Sequence, residues 1–164
     1  MFNILRPLIF KFSPEVAHSL AIKALKLNNI PYTKPKDNHI LETTFCEKKL
    51  SSPIGVAAGF DKNAEVYNPL FNLGFGFVEV GTITPKPQFG NPKPRVFRLE
   101  EDEALINRLG FNNSGSEQIS KRIKENNKKG FLGINIGPNK DSMNRIEDYL
   151  ICFRKFYNLA DYIT

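Results

Sequence analysis

Lys62 closes the run Ala57-Ala58-Gly59-Phe60-Asp61-Lys62, in which small side chains precede an acid and a long cation. Small residues at the mouth of a strand let a flat ligand approach the backbone closely. A lysine just beyond them can bring positive charge to an anionic substrate or an electron-rich ring. The same residues also suit a tight turn with Asp61 and Lys62 in solvent. A second group, "INRLGFNNSG" at 106–115, sets three asparagines and an arginine among apolar neighbours. Buried amides need partners, and turn or cap roles account for Asn112 and Asn113 better than for Asn107 and Arg108. A third, "GINIGPNK", puts Asn135 between Ile134 and Ile136, inside a strand that should be apolar throughout. Thr82, after Gly81, ends the preceding strand in a similar place. Together these strand-end sites point to a bound heteroaromatic cofactor with an anionic substrate beside it. No metal centre is expected: His18 and His39 are the only histidines, and Cys46 and Cys152 read as reduced thiols without a CxxC partner.

Strands and helices must alternate to hold such sites at one edge. The internal apolar runs "VAAG", "FVEVG" and "LGINIG" each end in glycine at a strand's C-terminal end. In α/β folds that edge is where ligands sit. The pattern predicts a strand at "LETTFCEK", a buried strand at "SPIGVAAG", and a helix at "NAEVYNPLFNLG" capped by Gly74. Further strands follow at "FGFVEVGTIT" and "GFLGINIG", with a hairpin arm and turn at "RVFRLEEDEALINRLGF". Ser114 and Glu117 form a capping-box pattern for a helix reaching about Lys128. A last helix, "IEDYLICFRKFYNLA", would place Ile146, Leu150, Phe153, Phe156 and Tyr157 on one side, and "DYIT" starts another strand. This is an α/β chain built from βα units on a parallel sheet. Three such units, with a fourth begun, are fewer than the eight that close a barrel of about 250 residues.

Ahead of these units lies a different segment. Residues 1–36 carry six basic residues against one acid, Glu15, so +5 of the chain's +6 net charge resides there. That locates any affinity for an anionic surface in the N-terminal segment. Pro7 suits the first turn of one short helix. Ser13-Pro14-Glu15 is a start signal for a second, with Ser13 as capping hydroxyl and Val16, Leu20, Ala24 and Leu27 at helical spacing. Lys23 and Lys26 fall on the other side, and the polar stretch "PYTKPKDN" at 31–38 reads as a linker. No apolar run approaches the roughly 18 residues of a membrane span, and "PLIF" is too short for a signal-peptide core. Two basic amphipathic helices can lie in a membrane interface, or pack as a lid on their own domain.

The segments "SPIGVAAGFDKNAE", "GFGFVEVGTITPKPQFGNPKPRVFRL", "ALINRLGFNNSG" and "LGINIGPNK" resemble the class 2, quinone-using dihydroorotate dehydrogenases, as does the helix "SPEVAHSLAIKAL". The resemblance implies the N-terminal part of an FMN-binding TIM (β/α)8 barrel, residues 37–164, behind a small helical domain, residues 1–36. It implies oxidation of dihydroorotate to orotate in pyrimidine synthesis, with electrons passed to a membrane quinone. By motif, Ala58, Gly59, Phe60, Asp61, Lys62, Thr82 and Asn135 would line the FMN. Lys62 with Asn107, Arg108, Leu109, Gly110 and Phe111 would hold the substrate, and His18 and Arg98 the quinone tunnel. Residues 1–30 would then touch the cytoplasmic face of the cell membrane peripherally, with no nucleic-acid partner. The family's serine base falls beyond Thr164, and Ser114, Ser116 and Ser120 do not match it, so the chain alone is expected to be inactive. Alternatives are another FMN barrel, such as a tRNA dihydrouridine synthase, or a basic membrane- or RNA-binding module.

Overall fold

The computed structural model describes residues 2–27 and 39–164, so the linker expected at 31–38 lies outside the described residues. Its elements are α1 (Phe2–Phe10), α2 (Pro14–Lys26), β1 (Thr43–Phe45), β2 (Lys48–Leu50), β3 (Gly55–Val56) and α3 (Tyr67–Asn72). They continue through β4 (Phe77–Ile83), β5 (Val96–Leu99), β6 (Ala104–Asn107), α4 (Ser116–Glu125), β7 (Phe131–Ile136), α5 (Arg145–Phe156) and β8 (Tyr162–Ile163). Four strands pair in parallel in the order β3-β4-β7-β8. Each pair is joined through a helix: α3, then α4, then α5. The spatial order follows the chain order without reversal, as in the arc of a barrel. A doubly wound sheet instead reverses its order at a switch point.

The two faces of this sheet differ because strand side chains alternate. Val78, Val80, Leu132, Ile134 and Ile136 point towards the helices and are buried there with Leu70, Ile119, Ile123, Cys152 and Phe156. The other face carries Phe77 and Glu79 on β4, and Phe131, Gly133 and Asn135 on β7. Phe131 stacks on Tyr162 of β8 at 5.7 Å. A side chain at position 133 would collide with the Tyr162 ring, its Cβ only 2.1 Å from Cζ, so the glycine makes room for the aromatic layer.

Several local expectations need correction. "LETTFCEK" is not one strand but the hairpin β1–β2, turned by Cys46 and Glu47 with φ of 46° and 61°. Positive φ at both central residues matches the twist of the flanking strands. "SPIGVAAG" contributes only two strand residues, half-buried rather than buried. The capping box does not form. α4 starts behind Gly115 without a side-chain cap, and it ends at Glu125. The Ser114 N–H donates to Asn63 Oδ1 (2.9 Å), Glu117 pairs with Lys155, and Asn113 Oδ1 takes the Gly115 N–H (2.8 Å). Ser13 makes no side-chain cap either, although Pro14 opens α2 as expected, and Pro7 lies inside α1 rather than in its first turn. On α5 the buried pair is Cys152 and Phe156, one turn apart. Ile146, Leu150, Phe153 and Tyr157 lie about a third of a turn away at 3.6 residues per turn and are exposed.

Candidate functional site

The segment 57–62 leaves β3 and is pinned to β4 by two reciprocal backbone bonds. Gly59 N–H donates to Gly81 O (2.9 Å) and Gly81 N–H donates to Asp61 O (3.1 Å). Gly59 has φ of 105°, and a Cβ there would meet no atom within 4 Å. The backbone thus takes a turn that favours glycine and leaves open space beside it. The solvated-turn reading of Asp61 and Lys62 does not hold. Asp61 is 1% exposed, and its carboxylate accepts the backbone N–H of Glu65 (2.8 Å) and of Val66 (2.7 Å). Burial pushes its pKa up against those bonds. Lys62 is half-buried, hydrogen-bonds the Gly59 carbonyl, and makes no ion pair among the described residues. Burial lowers its pKa, opposed by the nearby Glu15.

The α2 helix closes one side of this segment. Ile22 and Leu25 join the main core while Val16, Leu20 and Leu27 stay exposed. His18 Nε2 lies 2.6 Å from Phe60 O, and the two rings meet edge to face at 5.4 Å. A carbonyl only accepts, so Nε2 carries the proton and Nδ1 is left as an acceptor. Burial lowers the His18 pKa despite that bond, which favours the neutral ring. Arg98, on β5, donates to Phe12 O (2.8 Å) and Phe10 O (3.3 Å) and lies 4.5 Å over the Phe10 ring. It caps the C-terminal carbonyls of α1.

Between α2, the 57–62 segment and the β5–β6 hairpin lies a cleft of about 720 Å³. Of the predicted residues it brings together Ala58, Gly59, Phe60, Asp61 and Lys62 with Asn107, Leu109, His18 and Arg98. Lys23, Lys26, Lys93 and Arg95 also line it, against the acids Glu15, Asp61 and Glu65. Glu15 is paired with Arg95 at 2.8 Å and Glu65 with Lys26 at 3.0 Å, so the surplus charge is positive and selects anions. Asn112 Oδ1, also on this wall, is buried without a hydrogen-bond partner, the only such side-chain atom found among the described residues. An open glycine corner, an uncompensated lysine and an orphan acceptor fit a polar, anionic ligand.

Five predicted residues lie off this cleft. Arg108 donates to Pro94 O (3.1 Å) and sits 6.0 Å over Phe97. Gly110 accepts from Gln88 Nε2 (2.9 Å), and the exposed Phe111 adopts φ of 50°. Thr82 and Asn135 bond each other at 2.6 Å across the β4 and β7 strand ends. Sequence reasoning missed Glu79, which accepts from Asn135 Nδ2 at 3.0 Å, and the Glu15–Arg95 pair. An acid inside "FVEVG" was the same signal as the amide inside "GINIG", but no local pattern marks Arg95.

A parallel sheet of consecutively ordered strands, with a positively charged cleft at its C-terminal edge, has the architecture of an α/β barrel arc. Comparison with known proteins places it more closely. A family model described as dihydroorotate dehydrogenase matches residues 40–164. A dihydroorotate dehydrogenase (quinone) of Bartonella henselae is 52% identical over 97% of this chain and 44% of its own length. One from Rhizobium etli is 51% identical over 95% of this chain and 43% of its own. The crystal structure of a DHODH from Eimeria tenella in complex with ferulenol superposes with a TM-score of 0.86 at 41% identity, covering 92% of this chain and 43% of that one. The chain belongs to the dihydroorotate dehydrogenase family, and it spans less than half the length of these relatives.

Proposed function

We propose that this chain carries the front part of a quinone-using dihydroorotate dehydrogenase: one wall of the flavin pocket, part of the substrate site and the quinone-side helices of a TIM barrel. The observation that carries the reading is Lys62, a half-buried lysine without an ion-pair partner among the described residues, facing the same cleft as Asn107 and the orphan Asn112 oxygen. Lys62 with the Asn107–Phe111 run would hold the carboxylate and ring of dihydroorotate. Ala58, Gly59, Lys62, Thr82 and Asn135 would hold FMN, which when bound supplies a hydride acceptor. Phe60 would contribute to the same wall, whereas the Asp61 carboxylate holds the segment's own backbone.

Helices α1 and α2 and the turn between them expose Leu8, Ile9, Phe12, Val16 and Leu20. No helix among the described residues is long and apolar enough to cross a membrane. The exposed apolar side chains support peripheral membrane contact through residues 1–30, on the cytoplasmic face by the family resemblance, with His18 and Arg98 on the quinone's path. Ser116 and Ser120 do not suit the family's serine base. Ser116 Oγ donates to Pro85 O (3.0 Å) and Ser120 Oγ donates to Glu117 O (3.0 Å), so both hydroxyls are spent within the fold. The 164-residue chain alone is therefore expected to reduce no quinone. The test joins residues 1–164 in register to the remaining part of the Bartonella henselae relative. Dihydroorotate-dependent quinone reduction that disappears with Lys62→Ala supports the reading; an inactive but folded, flavin-loaded chimera overturns it.

A further inference from the structure

Glu79 is an acid on the sheet face opposite the helices, and the proposed function does not use it. Its Oε1 accepts from Asn135 Nδ2 at 3.0 Å. Its Oε2 accepts from Tyr162 Oη at 3.0 Å and from Thr164 Oγ1 at 3.4 Å. The Tyr162 phenol is held protonated as a donor, its pKa raised by burial and by the adjoining carboxylate. A carboxylate can only accept, so Asn135 must turn its amide nitrogen towards Glu79 and its oxygen the other way. That oxygen lies 2.6 Å from Thr82 Oγ1, so the Thr82 hydroxyl must donate to it. The register places these groups in one ladder: Glu79 opposite Gly133, and Gly133 opposite Tyr162, with Asn135 two residues on.

We propose that Glu79 is a positioning residue that sets the donor–acceptor polarity of the Thr82–Asn135 pair. With Glu79 in place, the Thr82 hydroxyl hydrogen is spent and its oxygen offers a ligand over the strand ends lone pairs, while Asn135 offers its second N–H beside the remaining lone pair of Oδ1. The ligand edge that fits is a donor beside an acceptor, the pattern of a cyclic imide. Naming that ligand a flavin rests on the function proposed above, whereas the polarity of the pair does not.

The test uses the uniformly ¹⁵N-labelled 164-residue chain and follows solvent exchange of the Asn135 side-chain amide. In the unaltered chain that amide should exchange at least about tenfold more slowly than an exposed asparagine amide, the protection expected of a hydrogen bond worth about 1.4 kcal/mol or more. Glu79→Leu removes the acceptor altogether, and it should lose most of that protection. Free exchange in the unaltered chain overturns the proposal, whether or not the variant folds. Unchanged protection in a folded Glu79→Leu chain also overturns it. Titration with FMN, followed by flavin fluorescence, separates the two ideas. Binding weakened about tenfold in Glu79→Leu supports both. An amide signature as expected without FMN binding to either chain supports the positioning role and counts against the flavin wall.

Discussion

Arg95→Ala should loosen α2 against the body of the protein. Arg95 is 6% exposed, and its guanidinium donates twice to Glu15 Oε1 (3.0 and 2.8 Å) and to the carbonyls of Phe89 (2.7 Å), Asn91 (3.1 Å) and Leu109 (3.4 Å). One side chain thus joins α2, the loop after β4 and the Asn107–Phe111 run. Removing one member of a buried, hydrogen-bonded ion pair costs about 3–5 kcal/mol, because the other charge is left uncompensated. Glu15 remains partly solvated, so the lower end, about 3 kcal/mol, is the expected loss. Glu15→Gln leaves an acceptor for Arg95 and should cost about 1–2 kcal/mol. Urea unfolding at neutral pH measures both, and amide exchange along α2 and residues 107–111 reports where the loosening occurs.

The pH dependence follows from the same pair. Hydrogen bonding to Arg95 holds the Glu15 pKa below its ordinary value against the opposing effect of burial. The pair's contribution is therefore fully present above the unfolded carboxylate value, about 4.3, and is lost as pH falls through the lower folded value. The gap between unaltered and Glu15→Gln chains should close over that acidic range. An Arg95→Ala cost under about 1 kcal/mol would place the pair with screened surface bridges and refute the reasoning.

Lys62→Met removes a cation whose pKa is lowered by burial, a group that favours folding most when neutral, above its unfolded value. Calorimetry at pH 7 should therefore show a Tm about 2–4 °C higher, together with loss of orotate binding wherever binding is measurable. Asp161→Asn breaks the contacts of a carboxylate that takes Lys48, Lys128 and the Leu132 N–H (2.8 Å). Burial raises its pKa, but those three donors outweigh it and the net shift is downward. The substitution should cost about 1–3 kcal/mol in urea at pH 7 and progressively less below about pH 4. Ellman's reagent should titrate one thiol in the folded chain and two in urea: Cys46 is exposed, whereas burial pushes Cys152 up to about 12.

The parts of this fold legible in the sequence are those governed by local period and punctuation. The runs that became β4 and β7 are largely apolar because helices cover one face of the sheet, and Gly74 stops α3 with φ of 97°. The errors arise where a tertiary partner outbid a local one. Ser114 could cap α4, but Asn63 claims its N–H and Lys155 claims Glu117. The apolar arc of α5 is wider than the contact it makes, so period alone could not single out Cys152 and Phe156. At the site, Lys62 and Asn107 were visible by type and setting. Arg95 was not, because its five bonds come from segments up to 80 residues away in the chain.

Arg95 and Lys62 together explain why the cleft keeps its charge. Lys62 is carried at a cost, since burial disfavours its charged form, and Glu15 is the group that lowers that cost. Yet Glu15 is committed by hydrogen bonds to Arg95, which repels Lys62 in turn. The three groups sum to one positive charge, which Asp61 offsets less than Glu15 does, its carboxylate being held by backbone N–H groups. A monoanionic carboxylate in the cleft would complete the balance. Docking of α2, which delivers Glu15, therefore helps make a charged lysine tolerable in the cleft, and Glu15→Gln should lower the Lys62 pKa further. A ¹³C-detected titration of the lysine side chain would show this, and an unchanged Lys62 pKa in that variant would mean that the helix contributes shape to the cleft but no charge.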